Sequence, residues 1–139
     1  MDILVLIGRI LFSALFVGSA FGHLTQTKAM AGYAASKRVP SPVAAVAGSG
    51  VLILLGGLSV LLGVWPDLGA LLLIVFLVPT ALLMHGFWRE RDPMMRQNDQ
   101  VHFMKDLALA GAALVMLAFF AYAGHDLGLT LTGPLFHLG

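Results

Sequence analysis

Five ionisable side chains are spaced so that they could share one polar pocket. His23, His85, His102, Lys105 and Asp106 each stand at or near the edge of a long apolar stretch. His102 precedes Lys105 by three residues and Asp106 by four, which puts all three on roughly one helix face. Ionisable groups are expensive in hydrocarbon, at about 2.5–3.5 kcal/mol for Arg, Lys or Asp at mid-helix on insertion scales. Each therefore asks for a partner or an exit to water. The structural reading is anchoring, because His, Trp and Lys suit headgroup depth. The functional reading is a polar pocket between helices for a quinone-like or other amphipathic ligand, or for protons. Within it, Asp106 is expected to face inward toward His85 or His23, with Lys105 reaching the headgroups or a partner carboxylate.

A second pair, Arg9 and Asp67, would lie at the opposite end. Arg9 either snorkels to the interface, pairs with Asp67, or contacts a substrate or lipid headgroup. Other chemistries are not encoded. Cysteine is absent, which excludes disulfides, thiolate metal sites and CxxC redox chemistry. The histidines lack HxxxH or HExxH spacing, so no metal site is assigned. No Ser-His-Asp set, phosphate loop or CxxCH haem motif occurs, and no cofactor is intrinsic to the sequence.

These residues are held by elements that water cannot surround. The 139-residue chain is 59% hydrophobic and 11% charged, with net charge +1 and mean hydropathy +0.93. Soluble domains carry about 25% charge. A surface so poor in charge faces lipid, and a balance near neutrality gives no sign of nucleic-acid binding.

Spanning ~30 Å of hydrocarbon takes ~20 apolar residues in a helix. Four segments meet that length: Ile3 to His23, Val43 to Val64, Leu68 to Trp88 and Phe103 to Tyr122. The sequence predicts an all-α, four-helix transmembrane bundle over residues 1–139. The first segment has almost no basic leader and too long an apolar stretch for a signal peptide, so it is read as a helix that stays. Pro40 and Pro42 close the first loop, in which Ala29 to Ala35 could form a short interfacial helix. Trp65-Pro66-Asp67 makes a tight turn. Arg89 to Gln100 reads as a solvated loop, and Gly124 to Gly139 as an interfacial tail. Pro79 is expected to kink the third span, freeing the carbonyl of Val75. Ala14, Gly18 and Gly22 form a small-xxx-small stripe, read as packing within the bundle.

Of the eight Lys and Arg residues, Arg9 alone falls on the side of the termini. The positive-inside rule places the two basic loops in the cytoplasm and both termini outside a bacterial cytoplasmic membrane.

Several of these segments resemble the DoxX family. Gly8-Arg9-Ile10-Leu11-Phe12-Ser13 running to Phe21-Gly22-His23-Leu24 is similar to its opening helix, where Lys is more frequent near the His23 position. Tyr33-Ala34-Ala35-Ser36-Lys37-Arg38-Val39-Pro40 resembles its tyrosine-to-proline loop, in which Gly is commoner than Arg38. Met84-His85-Gly86-Phe87-Trp88 resembles its His-x-Phe-Trp element. His102-Phe103-Met104-Lys105-Asp106-Leu107 resembles a Phe-x-Lys-Asn-Leu segment, with Asp106 in place of Asn. The resemblance covers about residues 3 to 122 and implies a four-helix membrane bundle. Some relatives are associated with quinone-linked sulfur oxidation or membrane oxidoreductase assemblies, and fold alone does not carry function.

The expected function is a small membrane subunit of an electron-transfer or redox-related assembly, holding a quinone between its helices. Its partners would be lipids and other membrane or redox proteins. With no haem, flavin or thiol motif it would need a partner or a diffusible carrier to move electrons, and any activity would be that of a quinone-linked oxidoreductase subunit rather than a self-sufficient enzyme. The alternatives are a non-catalytic accessory subunit of a larger complex and a small transporter or lipid-binding protein.

Overall fold

The computed structural model describes residues 1–136. Among them are five α-helices: α1 (Asp2–Thr25), α2 (Thr27–Ser36), α3 (Pro42–Leu62), α4 (Pro66–Met84) and α5 (Pro93–Ala123), with 3-10 turns at Phe87–Arg89 and Gly124–Asp126. Four of them are long and apolar enough to cross a membrane, and at most 33% of the apolar window in each is buried inside the protein. The remainder is an apolar exterior suited to lipid.

Helix α1 packs on α3, α3 on α4 and α4 on α5, while the short α2 lies against α3. The core runs through Phe16 and Ala20 of α1, Ile53 and Val60 of α3, Ala70, Leu73 and Leu77 of α4, and Ala110 of α5. In lipid there is little hydrophobic drive between helices, so close packing of small residues carries the association. Gly69 shows this: a Cβ there would collide with the Ser59 side chain and the Gly56 carbonyl.

Two features differ from the sequence expectation. Helix α5 begins at Pro93, ten residues before Phe103. The Asp92 carboxylate accepts a hydrogen bond from Met95 N at 2.9 Å and caps it, and proline suits the first helical position because its missing N–H has no intrahelical partner there. Residues 93–100, read as loop, are therefore helix, and Lys105 and Asp106 sit several turns inside it. The small-residue stripe is the other correction. Ala14 and Gly18 point outward, and a Cβ on Gly18 would meet nothing within 4 Å.

The end of the bundle with the chain termini is closed by residues 127–136. Leu131 N donates to Leu62 O, Thr132 N to Gly63 O and Trp65 N to Gly133 O, at 3.2–3.3 Å. The tail thus lies over the α3–α4 turn. Residues 137–139 of the expected interfacial tail lie outside the described residues.

Candidate functional site

Helix α5 presents Asp99, His102 and Asp106 at intervals of three and four residues. Seven residues are close to two turns, so both carboxylates fall on one face, about 10 Å apart along the axis. Helix α4 ends at Met84, and the next residue, His85, enters between them. Its Nδ1 lies 3.7 Å from Asp99 Oδ1 and its Nε2 3.7 Å from Asp106 Oδ2. The His102 ring stacks on it with centroids 5.0 Å apart. Both carboxylates are buried, Asp99 at 3% and Asp106 at 4% exposure.

The loop that carries His85 is pinned by aromatic contacts. Phe87, Trp88 and Phe103 meet edge to face at 5.3–5.5 Å between ring centroids. Trp88 stays half exposed, which suits a ring at headgroup depth.

Two spaces flank the triad formed by Asp99, His85 and Asp106. On one side, a cavity of about 670 Å³ reaches into the bundle between α1, α2, α3, α4 and α5. Its walls are mostly apolar, with Phe16, Leu52, Phe76 and Leu109 among them, and His23, Tyr33, His85, Lys105 and Asp106 supply polar groups. Pro79 and Val75 also line it. On the other side, a vestibule of about 380 Å³ is lined by Lys37, Arg38, Arg89, Glu90 and Asp99. There Lys37 Nζ donates to Asp99 Oδ2 at 2.7 Å and lies 4.0 Å from Glu90. The hydrogen bond to Asp99 raises the Lys37 pKa above its ordinary 10.5, against the opposing effect of burial.

Two atoms of the triad lack a hydrogen-bond partner although fully enclosed: His85 Nδ1 and Asp106 Oδ2. A buried polar group without a partner is costly. Asp106 borders the cavity, but its Oδ2 is turned toward His85 Nε2, 3.7 Å away.

The structure brings His85, His102, Lys105 and Asp106 into one cluster. Lys105 Nζ lies 3.5 Å from Asp106 Oδ1 and 3.4 Å from His102 Nδ1, with its side chain half exposed. His23 lies on the cavity wall and makes no ion pair with Asp106 among the described residues. Its Nδ1 donates to Ser19 O of its own helix at 2.9 Å, and its ring meets Phe76. Lys37, Glu90 and Asp99 were not among the candidates. Their signal is Asp92-Pro93: a helix started there puts Asp99 on the face of Asp106.

At the far end, Arg9 and Asp67 do not pair. Arg9 is 2% exposed. Its Nε, Nη2 and Nη1 donate to the carbonyls of Val60, Leu61 and Leu129 at 2.8, 2.7 and 2.7 Å. The last carbonyls of a helix have no partner within it and carry the negative end of its dipole. Arg9 satisfies two of those of α3, at Val60 and Leu61, so it has no need to snorkel. Asp67 is fully buried and accepts from the backbone N–H groups of Leu135 and Phe136. Both residues are bound to backbone: the end of α3 and the tail bring carbonyls to Arg9, and the tail brings amides to Asp67.

A family model for DoxX matches residues 4–86. No curated protein and no solved structure matches the chain. The matched stretch runs from α1 to the residue after His85, so Asp99 and Asp106 lie beyond it. It covers more than half of the sequence, taking in the tyrosine-to-proline loop and the first three of the four membrane helices and ending within the His-x-Phe-Trp element: this multi-pass membrane protein belongs to the DoxX family.

Proposed function

We propose that the chain is a small membrane component of a redox-related assembly that holds a quinone-type ring in the cavity between its helices. One observation carries this reading. A cavity of about 670 Å³, within the usual range of about 300–1,000 Å³ for small-molecule sites, has apolar walls with His85, Lys105 and the buried Asp106 together in its lining. A quinone combines an apolar ring and tail with polar oxygens. The cavity walls would hold the ring, and Asp106, Lys105 and His85 would meet an oxygen. The bound group would supply the electron chemistry, with partner proteins as donor and acceptor. The basic loops favour a bacterial cytoplasmic membrane with the vestibule in the cytoplasm.

The test is mass spectrometry of lipid extracted from the purified protein, beside Ser49→Phe, which fills the cavity wall. Quinone in the unmodified protein and its loss from the variant support the proposal. Equal quinone content in both defeats it.

A second reading is a non-catalytic accessory subunit, and the outward stripe of Ala14 and Gly18 favours it, since such stripes admit another helix closely. Co-purification with a larger complex, without any quinone, would select it.

A further inference from the structure

The triad joins two compartments that differ in polarity. Asp99 borders the vestibule and Asp106 borders the cavity. His85 stands between them, one ring nitrogen toward each carboxylate at 3.7 Å. Imidazole can take a proton on one nitrogen and release one from the other. Both gaps exceed a direct hydrogen bond by about half an ångström or more, within reach of side-chain rotation. Such contacts are often long before a ligand binds and tighten afterwards.

We propose that Asp99, His85 and Asp106 form a proton relay that equilibrates the cavity with the aqueous phase at the basic face. The ligand class is an amphipathic molecule with an ionisable hydroxyl. That part rests on the cavity reading above, whereas the relay stands on the triad's own geometry.

The proton count closes. The hydroxyl gives its proton to the Asp106 carboxylate, which borders the cavity, and becomes an oxyanion. Asp106 passes a proton to Nε2 of His85, which then carries one on each nitrogen. Nδ1 gives up its proton to Asp99 Oδ1, and Asp99 releases one to the vestibule. The ligand has lost one proton, the aqueous phase has gained one, and His85 has changed from the Nδ1–H to the Nε2–H tautomer. Return of a proton by the same path restores it, and no electron moves.

Other ionisable groups surround the relay. His102 stacks on His85 and Lys105 lies beside Asp106, both from α5. Lys37 holds Asp99 from the segment after α2, with Glu90 nearby. His23 and Tyr33 face the same cavity from α1 and α2. None of these bridges both carboxylates, and none lines both spaces.

The test uses the full chain, ¹⁵N-labelled at histidine, in phosphatidylglycerol–phosphatidylethanolamine nanodiscs. His85 resonances are assigned by their loss in His85→Gln. Exchange of ring N–H protons with water is then measured by NMR. In the unmodified protein His85 should exchange faster than His23, whose Nδ1 is tied to Ser19. Asp99→Asn keeps a hydrogen-bonding partner for Lys37 but should slow His85 exchange by about ten-fold or more. Exchange at His85 no faster than at His23, or unaltered in Asp99→Asn, overturns the relay. The first comparison needs no variant, so it holds even if Asp99→Asn fails to fold.

A second arm uses octyl-nitrophenol, whose absorbance reports its ionisation. After a pH jump, bound probe should re-equilibrate more slowly in Asp99→Asn than in the unmodified protein, at equal affinity. Equal rates overturn the relay's service to the cavity. Failure of the probe to bind the unmodified protein counts against the proposed ligand class, while the His85 exchange rates still decide the relay.

Discussion

Lys37 and Asp99, 62 positions apart in the chain, meet at 2.7 Å and tie the segment between α2 and α3 to the start of α5. The side chains are 17% and 4% exposed. Removing the ammonium would leave a buried carboxylate without its partner, so Lys37→Met should cost about 2 kcal/mol. The Lys37 pKa is raised in the fold, and a raised lysine stabilises in its charged form. Its contribution is therefore complete below the unfolded value near 10.5 and is lost as pH rises through the higher folded value. Melting curves of both proteins should show a constant gap across neutral and mildly alkaline pH, closing above that range. A gap that closes between pH 6 and 8 would be evidence against the assignment.

Arg9 is predicted to be irreplaceable by lysine. Its guanidinium reaches three carbonyls on two segments, and a single ammonium cannot match that fork. Arg9→Met should destabilise by about 2–4 kcal/mol, and Arg9→Lys should recover only part of the loss. Thermal unfolding in detergent measures both. Full recovery in Arg9→Lys would mean that charge, rather than the three-way geometry, is what α3 requires.

Asp67 holds the tail by accepting from Leu135 N and Phe136 N. In Asp67→Asn one carboxylate oxygen becomes an NH₂ group, which sets a donor against a backbone donor. The variant should keep its helices while amide exchange at Leu135 and Phe136 accelerates, by about ten-fold for a loss near 1.4 kcal/mol. Unchanged exchange there would show that the α3–α4 turn alone retains the tail.

Orientation has its own expected outcome. With the basic loops inside, a reporter fused after residue 139 should act as extracytoplasmic, and one inserted at Arg91 as cytoplasmic. The reverse result would put the vestibule outside the cell.

The spans were legible because lipid imposes one rule, a long apolar run, and four runs obey it. The start of α5 was not, because polarity was read as loop. Residues 96–100 are all polar, and the helicity of this stretch depends on the Asp92 cap and Pro93 rather than on apolar periodicity. That one boundary hid Asp99, and with it one of the three members of the triad. The far end was misread for a different reason. Opposite charges at equal depth suggest an ion pair, but the backbone groups that bind Arg9 and Asp67 come from α3 and from a tail whose path depends on tertiary packing. No spacing in the sequence announces them.

Asp106 is where structure and ligand binding can be separated. Its carboxylate is buried on the α5 face that meets His85, while Lys105, about 100° round the helix, keeps its side chain half exposed. Asp106→Asn retains an acceptor near Lys105 and a group able to bond His85 Nε2, so its melting point should stay close to that of the unmodified protein. Asp106→Leu supplies neither, and should cost about 1–3 kcal/mol through His85 and the vacated polar contacts. A ligand oxygen that needs only a hydrogen-bonding partner should survive the Asn change, so quinone content should fall in Leu and largely persist in Asn. Proton exchange should not survive it, because a carboxamide cannot pass a proton on at neutral pH. The comparison is a detergent melting curve, quinone content by mass spectrometry and the pH-jump rate of bound octyl-nitrophenol for both variants. Equal tolerance of Leu and Asn in stability and occupancy would mean that Asp106 only lodges at the interface, and the pocket reading would go with it.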